Sequence, residues 1–258
     1  MKKDSDKGIQ VISRASAILR EVVANSDGMS LGQLATATGL ARSTVQRIVD
    51  ALEIECLVQA GAGGVRPGWG LRRLGDLAGP SIASQLRPQL FRLFEATNQT
   101  VDLSTLTSTE VLFLDRFLSE NSVRVVPDAG EHYPAYAMAT GKALLAGLTN
   151  DDICAMYGNN TLERLTPMTI STVDKLIAEL DTIRSGGFAY DVEEHALGSC
   201  AIGLPVGIFG STQLAVSVVI PTEHYAAQKD AIEQALRVSA RDFVQRIDVL
   251  NGLTGSSN

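Results

Sequence analysis

Residues 30–58, SLGQLATATGLARSTVQRIVDALEIECLV, admit few folds. Ser30 is followed three residues later by Gln33, a capping box in which the hydroxyl and the amide satisfy backbone groups that a helix start leaves open. Leu31, Leu34 and Ala35 then share one face. Gly39 supplies a turn, where φ > 0 is cheap for a residue without Cβ. Beyond it Val45, Ile48, Val49 and Leu52 repeat at helical spacing as a second buried stripe. Two short helices about so tight a turn are the pattern of a helix-turn-helix, whose second helix lies in the major groove of DNA.

The flanks fit that reading. Residues 10–25 place Val11, Ile12, Ala15, Ile18, Leu19 and Val22 on one helical face, ended by Ser26-Asp27-Gly28. After the motif, residues 57–60, a glycine-rich tip at 61–64 and residues 65–67 read as a hairpin, in the position of the wing of a winged helix. The residues expected to reach DNA are Arg42, Ser43, Thr44, Gln46 and Arg47 at the start of the second helix, with Arg14 and Arg66 on the backbone. Arginine pairs with guanine O6 and N7, glutamine reads adenine, and hydroxyls suit phosphates. An ordinary solvated helix face carries similar residue types; caps, turn, stripe and wing together favour DNA. Charge agrees: the first 75 residues hold ten Lys/Arg against seven Asp/Glu, a balance of +3, which leaves −10 for the rest of a chain whose total is −7.

Downstream, residues 71–77 read as a short helix closed by Gly79-Pro80. The expected division is a head at 1–70, a linker helix at 71–85 and a body at 86–258. Helical spacing resumes over 81–97, with an interruption expected near Pro88. Strands are expected at 101–106, 111–117, 123–126, 188–190, 200–206 and 214–220, and helices at 141–148, 151–157, 171–185 (capped by Ser171) and 223–250. Strands and helices mingle without βαβ alternation, so the body reads as α+β with an antiparallel sheet.

Several chemistries are disfavoured. No stretch approaches the ~18 apolar residues of a membrane helix, and the charged N-terminus is no signal peptide, so a cytoplasmic location is expected. Cys56, Cys154 and Cys200 lack disulfide or zinc spacing and are expected to be small apolar side chains. Ala139-Thr140-Gly141-Lys142 is not a phosphate loop, because Tyr136 stands where glycine is needed and Ala143 follows the lysine. It reads instead as a loop opening onto a helix, with Gly141 at a start whose free N–H groups suit a ligand carboxylate. Glu193-Glu194-His195 reads as a solvated turn, with no G-x-S-x-G or H-E-x-x-H near it. No enzyme and no cofactor are expected.

In four segments the chain resembles the IclR family of bacterial transcriptional regulators: VISRASAIL and SLGQLATATGLARSTVQRIVDALE in the head, GEHYPAYAMATGKALLA and GGFAYDVEEHALGSCAIGLPV in the body. The resemblance implies a winged helix joined by a helix to an effector-binding domain of GAF-like fold, and dimers or tetramers on palindromic operator DNA. It carries over an effector cavity lined by Val125, Tyr133, Ala139, Thr140, Asp191, Ser199, Ala201, Ser217 and Val219. Ala201 stands where members that bind small oxo-acids tend to have cysteine, and Val219 where a second serine is common. With Tyr133 as an aromatic wall, this implies a less polar cavity and a larger, aromatic or partly apolar carboxylic acid or derivative. Asp191 is expected to accept from a ligand hydroxyl or amide. The expected function is a ligand-responsive regulator, a repressor of a catabolic operon. A constitutive DNA-binding oligomer is the alternative, and an enzyme with an accessory head comes third.

Overall fold

The structure is a computed structural model, and it describes residues 5–77, 81–119, 133–158 and 161–255. The chain divides into two compact units, Met1–Ser81 and Ile82–Asn258. The division falls inside the expected linker. Helix α4 (Trp69–Leu77) belongs to the first unit and α5 (Ile82–Thr97) to the second.

In the first unit α1 (Ser5–Ala24), α2 (Leu31–Thr38) and α3 (Arg42–Ile54) precede a hairpin of β1 (Val58–Gly61) and β2 (Gly64–Pro67). Ser30 and Gln33 form the capping box of α2, and Gly39 closes that helix at φ 65°. The core joins Ile18 and Val22 of α1, Leu34 of α2, Val45, Val49 and Leu52 of α3, and Val58 and Val65 of the hairpin. Each of the three helices buries one stripe, and the hairpin closes the fourth side. Val65 also exchanges backbone hydrogen bonds of 3.0 and 2.7 Å with Met29, which ties the hairpin to the turn before α2.

Among the described residues, the second unit is built on a six-stranded antiparallel sheet. Its strands are β3 (Thr100–Thr107), β4 (Glu110–Phe117), β5 (Tyr133–Pro134), β6 (Ala189–Val192), β7 (Ser199–Phe209) and β8 (Thr212–Pro221), in the spatial order β5-β4-β3-β8-β7-β6. Side chains alternate between its faces. Val101, Leu103, Ile202, Val206, Val216, Val218 and Ile220 pack on one side against Leu86, Leu90 and Leu93 of α5 and against Ile232, Leu236, Phe243 and Ile247 of α9 (Thr222–Gly255). The other side meets α6 (Ala139–Leu145), behind which lie α7 (Asn150–Tyr157) and α8 (Val173–Arg184).

Three expectations need correction. Helix α5 runs unbroken through Pro88, held there by fully buried Leu86 and Leu90 on either side. The cap of α8 is Thr172, whose hydroxyl accepts from the Lys175 N–H at 3.4 Å, whereas the Ser171 hydroxyl accepts from Arg164. Cys56 and Cys154 are exposed, and only Cys200 is a buried thiol. The strand expected at 123–126 lies outside the described residues. No helix among the described residues is long and apolar enough to cross a membrane.

Candidate functional site

On the first unit, the stripe that locks α3 into the core decides what the opposite face shows. Arg42, Ser43, Gln46 and Arg47 are exposed there, and Thr44 is half-buried. Gln46 Nε2 donates to Asp50 Oδ1 at 2.6 Å, one turn along the helix. The N-cap is Ala41, and no side chain caps this helix, whereas Ser30 caps its predecessor. A helix start leaves N–H groups with no intrahelical partner, so this end suits a phosphate. Arg14 is half-buried on α1. Arg66 lies on β2 rather than at the hairpin tip, and its Nε donates to the Asp27 carbonyl at 3.0 Å. It braces the hairpin against the turn after α1, so any phosphate must be met by its other N–H groups.

On the second unit, period-two alternation sends Thr100, Asp102 and Ser104 of β3 toward α6. Two cross-strand rows result. One runs Thr100–Val219–Ala201–Asp191, and the next runs Arg116–Asp102–Ser217–Gly203–Ala189. Helix α6 lies close over them: a Cβ on Gly203 would stand 3.1 Å from the Ala139 carbonyl, and one on Gly141 only 2.1 Å from the Ala135 carbonyl. Gly141 is therefore a packing residue against the turn at Ala135–Ala137, not a lining residue. Seven residues give α6 little axial dipole.

Between helix and sheet lies a cavity of about 10 Å³, room for roughly one water. It is lined by Thr100, Asp102, Arg116, Met138, Ala139, Thr140, His195, Ala201, Ser217 and Val219. The Thr140 hydroxyl is buried there without a hydrogen-bond partner, and so is that of Ser104 farther along β3. Unpaired buried polar atoms are uncommon and costly, so a partner is expected for them.

Of the residues expected to line a cavity, Ala139, Thr140, Ala201, Ser217 and Val219 meet here. Ser199 is buried but lies outside the lining. Tyr133 flanks it, with its ring edge-on to His195 at 6.3 Å between centroids. Val125 lies outside the described residues. Asp102, Arg116 and His195, which were not among the expected residues, belong to the lining as well. Arg116 pairs with Asp102. Burial pushes the Asp102 carboxyl up, and Arg116, then His195, pull it partly back.

The role expected of Asp191 also changes. It is fully buried, accepts from the Glu194 N–H at 2.8 Å and the His195 N–H at 3.4 Å, and binds His195 Nδ1 through its other oxygen. Its carboxylate is occupied by its own turn and reaches the cavity only through His195.

The turn itself is not solvated, contrary to expectation. Glu194 and His195 are buried. Fully buried Lys142 donates to Glu194 Oε1 at 2.5 Å and to Glu179 Oε2 on α8 at 2.8 Å. Burial pushes the Glu194 carboxyl up to about 6, against the pull of Lys142. Thr166 and Thr169 donate to the Glu193 and Glu194 carbonyls, each at 2.6 Å. A larger, open cleft of about 300 Å³ lies beside Glu194, between α8 and β6, with Met168, Ile170 and Phe188 among its walls. The smaller cavity is the better candidate, because an unpartnered hydroxyl and a held imidazole converge on it. Among the described residues, no group of three or more His, Cys, Asp or Glu side chains could hold a metal ion.

The sequence contained a signal for the missed residues. Thr100, Asp102 and Ser104 alternate with Val101 and Leu103 in a strand that is buried from Thr100 to Thr105, so its polar side had to face something polar.

Comparison with known proteins gives one answer over both units. The family model described as the IclR helix-turn-helix domain matches residues 11–60, and that of the bacterial transcriptional regulator IclR C-terminal region matches 76–245. The HTH-type transcriptional regulator TtgV of Pseudomonas putida is 39% identical over 93% of this chain and 92% of its own. The HTH-type transcriptional regulator Rv1719 of Mycobacterium tuberculosis is 35% identical over 89% of each. Among solved structures, an IclR homolog from Microbacterium hydrocarbonoxydans complexed with 4-hydroxybenzoate superposes with a TM-score of 0.74. It is 23% identical, covers 93% of this chain and 99% of its own, and shares the fold.

Proposed function

We propose, from the premise that this chain belongs to the IclR family of bacterial transcriptional regulators, that it is a ligand-responsive repressor of a catabolic operon. The observation that carries the DNA half is the face of α3: Arg42, Ser43, Gln46 and Arg47 stand exposed on a helix whose other side is locked in the core. Two heads, brought together in a homodimer or a dimer of dimers, would read a palindromic site. The effector is a small aromatic or partly apolar carboxylic acid or derivative. Support comes from the unpartnered Thr140 hydroxyl, and from the 4-hydroxybenzoate held by a solved relative of the same fold.

A cavity of about 10 Å³ holds no such molecule as it stands. The ligand must then select a body in which α6 and the sheet stand farther apart, and only a preference for that state can alter DNA affinity. The same closed cavity favours a second reading, a constitutive DNA-binding oligomer without an effector. Buried polar groups left unpaired at a site that never opens speak against it.

Footprinting on the promoter of a neighbouring catabolic operon, with and without aromatic acids, separates the readings. Two-fold symmetric protection that recedes when an acid is added supports the first. Protection indifferent to every acid supports the second, and no protection at low salt sinks both.

A further inference from the structure

We propose that His195 is the residue that reads the ligand's acid group, with Asp191 as its positioning partner, and that an anion enters this cavity together with one proton. The proposal rests on the effector reading above and gives it a chemical rule.

The Asp191 carboxylate holds Nδ1, so that nitrogen carries hydrogen and Nε2 is the ring nitrogen left for the cavity. Asp102 of β3, Arg116 of β4, Ser217 of β8 and Thr140 of α6 share the cavity with the imidazole, while Asp191 of β6 and Tyr133 of β5 touch its ring. Among the described residues the nearby cations are already engaged, Arg116 with Asp102 and Lys142 with Glu179 and Glu194.

With a neutral imidazole, the charge of Arg116 is matched by Asp102, and the Asp191 carboxylate behind His195 is held by N–H groups of its own turn. A ligand carboxylate would add another negative charge in a buried site, which is strongly unfavourable without compensation. One proton on Nε2, taken from solvent, turns Asp191 and His195 into a balanced pair. It also gives the anion a charge-assisted donor beside the Thr140 hydroxyl. No bond is made or broken apart from that N–H. Imidazole is the side chain present whose ordinary titration lies near neutral pH. A neutral ligand that donates a hydroxyl or amide N–H to Nε2 needs no proton.

Calorimetry on the full chain tests this, with 4-hydroxybenzoate and the neutral 4-hydroxybenzamide as probes. Each is titrated in buffers of differing ionisation enthalpy, at a pH above the usual imidazole range. The acid should bind with uptake of about one proton, its affinity falling about tenfold per pH unit, while the amide takes up none. His195→Gln should abolish the uptake and weaken the acid about ten- to hundredfold. Asp191→Asn should reduce the uptake. Acid binding with no proton uptake, or with pH-independent affinity, overturns the assignment of His195 in the wild-type chain alone, whether or not the variants fold. Failure of both probes to bind a chain that still holds its operator overturns the aromatic-acid effector reading, and this proposal with it.

Discussion

At residue scale, the buried charges make the sharpest claims. Asp102 is 1% exposed and leans on Arg116, so Arg116→Ala strands a carboxylate. Loss of one partner of a buried pair costs about 3–5 kcal/mol. Denaturant midpoints should show a loss of that order, and a much smaller one for Arg116→Ala combined with Asp102→Asn. Glu194 makes a pH-dependent claim. Its carboxyl is raised from 4.5 to about 6 on folding, so the unfolded chain releases this proton more easily. The stability it contributes is complete below pH ~4.5 and is lost as pH rises through about 6. The loss is on the order of 1–2 kcal/mol. Glu194→Gln should remove that slope when stability is measured across the window against the wild type. Little of this was legible beforehand. D-x-x-E-H shows three polar residues in a turn, but the cation that donates to Glu194 is Lys142, 52 residues earlier in the chain.

At the scale of elements, α3 and α6 contrast. The stripe Val45–Val49–Leu52 leaves the arginine face of α3 readable from spacing alone, because one side of that helix meets water. Arg47→Ala should lower operator affinity by about 1–3 kcal/mol if it reads a base, with far-UV dichroism unchanged. Fluorescence anisotropy at matched salt measures this, and affinity within about twofold of wild type would remove Arg47 from the interface. Helix α6 gives no such stripe, since all seven of its residues are buried. Its sequence therefore announces a glycine-containing helix start without saying why the glycine is needed. The reason is the Ala135 carbonyl, which allows no Cβ at residue 141. Gly141→Ala must displace backbone and should destabilise by about 1–3 kcal/mol or more. Gly203→Ala, with its 3.1 Å contact, should cost less; the order of the two melting temperatures checks the argument.

At the scale of the whole molecule, the apolar residues fall into separate cores. One is confined to the winged helix, and two lie on the faces of the six-stranded sheet. Units with their own cores need not melt together, so scanning calorimetry should resolve more than one transition. A single two-state transition would contradict that division. The α+β class and the basic head were legible because periodicity and charge are properties of the chain itself. The seam between Ser81 and Ile82 was located only to within the span 71–85, because Gly79-Pro80 punctuates helices without saying which unit claims each one. The polar lining of the cavity was less legible still, since Asp102, Arg116 and His195 converge from strands and turns far apart in sequence.

The alternation along β3, β7 and β8 has an evolutionary consequence. Thr100, Ala201 and Val219 stand in one row toward α6, while their immediate neighbours Val101, Cys200, Ile202, Val218 and Ile220 are buried toward the opposite side. On the effector reading proposed above, selection can then rewrite which ligand the body answers to, one alternate position at a time, and leave the supporting layer as it was. A randomised library confined to those three sites would be the natural starting point for turning this chain into a biosensor for new metabolites.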